Sequence, residues 1–323
     1  MKLKLTRRGF LDLSMAVGVA APMGQLSGQA IENQGYPVFL DYDQAQLDAA
    51  YNQGVWAPNR DRIRVQRANR NKAALQRLGD PERIAYGLSN IEQLDLYKTN
   101  VTGAPIHIYL HGGAWRSGGG FGSTASKAEV FVRAGAHFIS PDFIQVREAG
   151  GSLFPMVEQV RRSVAWVYRN ASAFGGDPAR IYLSGHSSGA HLVAAVLMTD
   201  WANDFNLPGN LIKGALCSSG IFDLYPVSLS SRREYIAFTD DMVNRLSPIR
   251  HLDKLNTPVI LTYGTRESPE FQRQSREFFD ALMNASKQAQ LYVGEELNHY
   301  EIADTMDNPY GFLGHIALKQ MGI

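Results

Sequence analysis

The chain has 323 residues, 45% of them hydrophobic, enough for one large domain with a sizeable core. Its 32 Lys and Arg nearly balance its 31 Asp and Glu, so the composition lacks the basic excess expected of a nucleic-acid binder. The single cysteine, Cys217, excludes an intrachain disulfide and a cysteine-built metal site, and its apolar setting in IKGALCSSG predicts a buried structural thiol.

Residues 1–30 begin with a basic stretch holding Arg7 and Arg8, followed by a modest apolar run and small residues up to Ala30. TRRGFL is similar to the core of a twin-arginine export signal, which would make the protein periplasmic. The alternative is an amphipathic N-terminal helix packed on the domain in a cytoplasmic protein. The run is too short and too polar to be a transmembrane segment. Residues 31–323 read as a single domain.

Residues 37–80 read as mainly helical. From Arg60 to Lys72 there are six basic residues against one acid, Asp61, either a solvated helix face or an anion-attracting rim beside a substrate entrance. Strand-like segments lie between Ile84 and Leu110 and end in the apolar PIHIYL; 124–134 reads as helix and 136–143 as strand. A long amphipathic helix follows from Phe154 to Ala173. IYLSGHSSGAHLVAAVL at 181–197 then passes from an apolar strand, through a tight glycine-flanked turn, into an apolar helix. Three more strands are expected at 211–220, 257–264 and 289–295, with a helix at 269–285. This alternation predicts a mostly parallel sheet with helices on both faces. Residues 222–251 lack a strand pattern and read as a helical excursion; with 37–75 they are expected to cap the catalytic edge.

The chemistry starts at GHSSG, residues 185–189. A Gly-x-Ser-x-Gly between strand and helix lifts the Ser187 hydroxyl clear of its neighbours and aims the first helical N–H groups at the atom it attacks. HGGAW at 111–115 leaves another strand end. The N–H groups of Gly113 and Ala114, with that of Ser188, can bind a developing oxyanion. His111 and Gly112 are expected to support this loop, His111 as an orienter rather than a base. The glycines at 118–122 have no lysine after them and no strand–loop–helix setting, so they do not read as a phosphate cradle.

Among eight histidines, His299 lies just past the last strand and completes the order Ser, acid, His. His186 and His191 flank the serine without an obvious path to its hydroxyl. Glu267, three residues past Gly264 in the loop after a strand, is the favoured acid, ahead of Glu270 and Asp304. Trp115, Phe143, Phe222 and Tyr225 fall in loops expected at the catalytic edge and are candidate pocket walls, with core or lid packing as their other role.

These stretches, with SSGIFDLYPV at 218–227, YGTRESPEFQRQSREF at 263–278 and NHY at 298–300, make the chain resemble the α/β-hydrolase superfamily. Within it, the chain resembles the kynurenine-formamidase-like and hormone-sensitive-lipase-like serine hydrolases. The resemblance implies a central, mostly parallel eight-stranded sheet with a helical cap. It also implies Ser187, Glu267 and His299 as nucleophile, acid and base, and neither metal nor organic cofactor. Two positions depart from the family: its acid is usually aspartate, and its loop often carries an aromatic residue where this chain has Ala114. The expected substrate is a small carboxylic ester or a reactive amide cleaved through an acyl-enzyme, with aryl formamides and lactams among the amides. A non-catalytic binding protein on the same fold is the competing class. The oligomeric state is left open, homodimer included.

Overall fold

Strand β3 (Ala104–Leu110) has all seven residues buried, the signature of a parallel strand covered on both faces. The computed structural model describes residues 35–323, so the expected export segment at 1–30, and the packed helix that is its alternative, lie outside the described residues. Among the described residues, β3 joins β1 (Glu82–Ala85), β2 (Gln93–Tyr97), β4 (His137–Pro141), β5 (Gly176–His186), β6 (Ile212–Ser218), β7 (Val259–Gly264) and β8 (Ala289–Gly294) in one sheet, ordered β1-β2-β4-β3-β5-β6-β7-β8. β1 and β2 pair antiparallel, as do β2 and β4; every pairing from β4 through β8 is parallel.

Helices α1 (Gln44–Tyr51), α2 (Gln53–Trp56) and α3 (Arg60–Leu78) precede the sheet. Between and after its strands come α4 (Ala125–Arg133), α5 (Phe154–Asn170), α6 (Ser188–Leu197), α7 (Trp201–Phe205), α8 (Tyr225–Leu229), α9 (Asp240–Arg245), α10 (Pro269–Asn284), α11 (His299–Asp304) and α12 (Phe312–Met321).

The period-2 alternation of the strands divides the core into two layers. Ile139, Cys217 and Leu261 face the layer shared with Val160 and Val164 of α5, Leu192 and Val196 of α6 and Phe278 of α10. Their neighbours Phe138, Leu216 and Ile260 face the opposite layer, with Phe131 of α4 and Leu313 of α12. Cys217 is fully buried, and burial pushes its thiol well above the usual range, as expected of a structural residue. At the open edge, β8 alternates exposed and half-buried residues, because only one of its faces is well covered.

The expected strands after β2 all form. β5 starts five residues earlier than its apolar stretch, because Ala104 pairs with Gly176 across a register shift. Residues 222–251 are helical, made of α8, α9 and short 3₁₀ turns. The loops after β3, β5, β7 and β8 leave the same C-terminal edge of the parallel strands, where α/β sheets carry their sites.

Candidate active site

Ser187 stands at the junction of β5 and α6 with φ 59° and ψ −125°, a conformation that costs a non-glycine residue free energy. Surrounding bonds hold it there: its N–H donates to Ser218 O at 2.9 Å, and its carbonyl accepts from Ala190 and His191 N–H at 3.0 and 3.2 Å. Gly189 is required by close approach, since a Cβ there would overlap the Leu110 and His111 carbonyls. Helix α6 can therefore seat directly against the end of β3.

The 111–115 loop is tied to this turn. The Trp115 N–H donates to Ser188 Oγ at 3.2 Å. Gly113 has φ 128°, and a Cβ on it would run into the Ser117 carbonyl; Ala114 and Trp115 follow with φ 55° and 61°. The N–H groups of Gly113, Ala114 and Ser188 donate to no acceptor among the described residues. His111 packs flat on Phe143, with ring centroids 4.2 Å apart, and its Nδ1–H donates to Gly112 O at 2.9 Å. Gly118 and Gly119 pass so close to that ring that a Cβ on either would strike it, and the Gly120 N–H donates to Asp142 Oδ1 at 2.6 Å. The glycine run is therefore packed over the His111 ring.

Glu267 and His299 come together across 32 positions of sequence, with His299 Nδ1 2.8 Å from Glu267 Oε2. The other carboxylate oxygen, Oε1, accepts from Ser219 Oγ at 2.5 Å and from Gly264 N–H at 2.9 Å. Burial pushes the Glu267 carboxyl up to about 7, although these donors pull the other way. Burial also pulls His299 down to about 3, reinforced by the positive charges of Arg232 and Arg67. Near neutrality His299 is thus uncharged. Its Nδ1–H donates to the carboxylate and Nε2 carries the lone pair.

His299, just past β8 as expected, is the first residue of α11. Asn298 caps that helix, accepting from Tyr300 and Glu301 N–H, while the Glu301 carboxylate accepts from the Asn298 N–H. The Asn-x-x-Glu spacing at 298–301 is a capping-box signature visible in the sequence, and it fixes where the imidazole projects from.

The runner-up acids are occupied elsewhere. Glu270 accepts from Tyr51 OH at 2.7 Å and pairs with Arg273. Asp304 pairs with Arg67 and Arg70. His191 is a core residue: its Nδ1 accepts from Trp115 Nε1–H at 3.1 Å, so the donor is Nε2, to Leu246 O at 2.8 Å. His186 lies with its ring centroid 4.4 Å from that of His299, and its buried Nε2 has no hydrogen-bond partner.

Ser187 and His299 line one cavity of about 380 Å³, together with Gly112, Gly113 and Ala114. Its remaining walls include Tyr51 and Gln53 from the N-terminal helices and Arg232 from the 222–251 excursion. The aromatic residues expected as walls do not line it. The left-handed turn at Ala114 and Trp115 sends the indole inward to His191. Phe143 is covered by His111. Phe222 is drawn under the loop, its N–H held by Gln274 Oε1 at 2.9 Å and its ring stacked on Phe278. Tyr225 is exposed on α8, beside Phe39. Tyr51, Ser219 and Arg232 were missed because their roles arise from contacts remote in sequence. No group of three or more His, Cys, Asp or Glu side chains among the described residues is placed to hold a metal ion.

A strained serine at a strand–helix elbow, a glycine loop of free N–H groups and a buried His–Glu pair define a serine hydrolase of the α/β-hydrolase superfamily. Residues 94–282 match the family model described as BD-FAE, and the chain belongs to this family. Similar proteins include the kynurenine formamidase of Danio rerio, 32% identical over 86% of this chain and 96% of that protein. Another is the kynurenine formamidase of Salmo salar, 33% identical over 74% of this chain and 81% of that protein. Esterase LipW from Mycobacterium marinum shares the fold, with a TM-score of 0.64 at 18% identity over 83% of this chain and 88% of that one.

Proposed function

We propose that Ser187 is the nucleophile, His299 the general base and acid, and Glu267 the carboxylate that orients it, in hydrolysis of a small carboxylic ester or reactive amide. The observation that carries this reading is the 2.8 Å His299–Glu267 pair, whose imidazole lines the same cavity as the elbow serine. His299 Nε2 takes the proton from Ser187 Oγ as that oxygen bonds to the substrate carbonyl carbon. The tetrahedral oxyanion is held by the N–H groups of Gly113, Ala114 and Ser188, each such donor contributing about 3 kcal/mol to the transition state. His299 then protonates the leaving alcohol or amine, leaving an acyl-Ser187 ester that water cleaves by the same proton path.

Among amides, an aryl formamide is supported by the likeness to the two fish formamidases. The helices of 37–75 and the 222–251 excursion act as a cap that narrows the substrate range, a role supported by Tyr51 and Arg232 in the cavity wall. TRRGFL directs export, with cleavage after Ala30; N-terminal sequencing of protein from its native host would show a start near residue 31, and an intact residue 1 or 2 would refute it. For the chemistry, purified protein is tested on a short acyl ester, an aryl formamide and a β-lactam, beside Ser187→Ala. Turnover that depends on Ser187 is expected for at least one substrate. Full ester hydrolysis by Ser187→Ala would sink the assignment.

A further inference from the structure

Among the described residues, the cavity in front of Ser187 is lined by five cationic side chains, Arg64, Arg67, Arg116, Lys127 and Arg232, and by no carboxylate. Two of them are neutralised from behind: Arg67 by Asp304 at 2.6 Å and Lys127 by Asp307 at 2.7 Å. Arg64 lies 5.6 Å from the Tyr300 ring centroid, and its one carboxylate partner among the described residues is the exposed Asp61, at 3.7 Å. Arg116 and Arg232 have no carboxylate partner among the described residues. Arg116 is exposed and lies over the Tyr235 ring. Arg232 is different, because it is only 7% exposed.

The protein does little to compensate that buried charge. Arg232 Nη2–H donates to Tyr51 O at 2.9 Å, and the guanidinium lies 5.6 Å from the Tyr51 ring centroid and 5.3 Å from that of Trp115. Nη1 has no hydrogen-bond partner. A guanidinium stays protonated when buried, so taking it out of water is costly unless an anion meets it. A purely structural arginine would be satisfied by a carboxylate or carbonyls of the fold, as Arg67 and Arg273 are. Among the described residues, Arg232 is the only cavity-lining cation that is both buried and without a counter-charge, and it stands over the ring of Trp115 in the 111–115 loop.

We propose that Arg232 is a specificity residue that binds a carboxylate on the substrate, so that the preferred substrates are anionic esters or amides. This rests on the hydrolase reading above and names its substrate class. The planar fork of Arg232 suits a carboxylate, and the bond is charge-assisted on both sides. The other cations of the cavity raise the local concentration of anions.

The test uses two pairs of isosteric esters, one with the carboxylate on the acyl arm and one with it on the leaving group. The first is 4-nitrophenyl hemisuccinate against 4-nitrophenyl 4-methylpentanoate, and the second is 4-acetoxybenzoate against 4-acetoxybenzamide. Each kcat/KM is divided by the ester's hydroxide-catalysed rate. The wild type should favour the anionic member of at least one pair by about ten- to hundred-fold. That preference should vanish in Arg232→Gln and return in part in Arg232→Lys. Arg232→Gln also loses the bond to Tyr51 O and can fail to fold; Arg232→Lys then carries the comparison, and a wild-type ratio near one overturns the proposal without any variant. Equal rates within both pairs, or a preference that survives Arg232→Gln, would overturn the proposal and leave the hydrolase reading standing. No cleavage of any of the four esters, with no labelling of Ser187 by a neutral fluorophosphonate, would overturn the hydrolase reading and this proposal with it.

Discussion

The elbow and the roof of the cavity are held in different ways. At the elbow, contacts are mostly backbone and run between sheet neighbours: Ser187 N–H to Ser218 O, with glycines admitting α6 against β3. At the roof, polar side chains bridge segments far apart in sequence. Gln44 Nε2–H donates to Leu229 O across 185 positions, the Ser231 N–H donates to Asp48 Oδ1, and Arg232 reaches Tyr51 O across 181. The elbow thus belongs to the sheet and shares its rigidity, whereas the roof is a layer of separate hydrogen bonds. Damage to the elbow should abolish chemistry, and damage to the roof should alter substrate binding first.

The largest effect should follow from Ser187→Ala, which is expected to lower kcat by about 10⁶-fold in steady-state ester hydrolysis with little change in KM. A loss confined to KM would remove the distinction between elbow and roof.

Glu267→Gln should cost about 10⁴-fold in kcat, because the amide no longer holds the Nδ1–H tautomer of His299. It should also separate activity from stability. The folded state binds the Glu267 proton more tightly than the unfolded chain does, since burial raises its pKa to about 7. That contribution is fully present below the ordinary carboxylate pKa and is lost as the pH rises through about 7. Urea melts should therefore show Glu267→Gln gaining stability over wild type at pH 8, on the order of 1–3 kcal/mol, and gaining nothing at pH 4. In the wild type, kcat/KM should rise with pH and level off above about 7, as Glu267 ionises beside a neutral His299. Maximal activity at pH 5 would contradict this.

A smaller effect is expected at Ser219, whose hydroxyl donates to Glu267 and so favours its ionised form. Ser219→Ala should reduce kcat/KM at pH 7 by about tenfold and move the acid limb of the profile to higher pH. A uniform loss with an unmoved limb would assign Ser219 to packing alone.

The smallest belongs to the roof. Asp48→Ala removes the acceptor for Ser231 N–H and Gln44 Nε2–H. It should lower stability by about 1 kcal/mol and raise KM about threefold, with kcat unchanged. A fall in kcat of about tenfold would show that the roof is part of the catalytic unit.

This division also explains what could be read from residues alone. The elbow at 185–189 and the glycine loop at 111–115 were legible because each is a short stretch whose geometry is dictated locally, by glycine at tight contacts, and Glu267 and His299 could be singled out by their positions after strands. Glu267 was separable from Glu270 because Pro269 and Glu270 begin α10, leaving Glu267 in the preceding loop. The pocket walls were misread because loop position does not fix side-chain direction: Trp115 and Phe222 point inward for reasons that lie in Ala114, His191 and Gln274. Nothing in SSRRE distinguishes Arg232 from the exposed Arg233, and only the fold shows Arg232 buried and, among the described residues, without a counter-charge.

The central claim, that the elbow serine attacks the substrate, is tested most directly by peptide mass spectrometry after reaction with a fluorophosphonate. The account predicts a single adduct per chain, on Ser187 and not on Ser188, whose hydroxyl is engaged by the Trp115 N–H. It also predicts that labelling is strongly slowed in His299→Ala. An adduct on Ser188, or a Ser187 left unlabelled in folded protein, would contradict it.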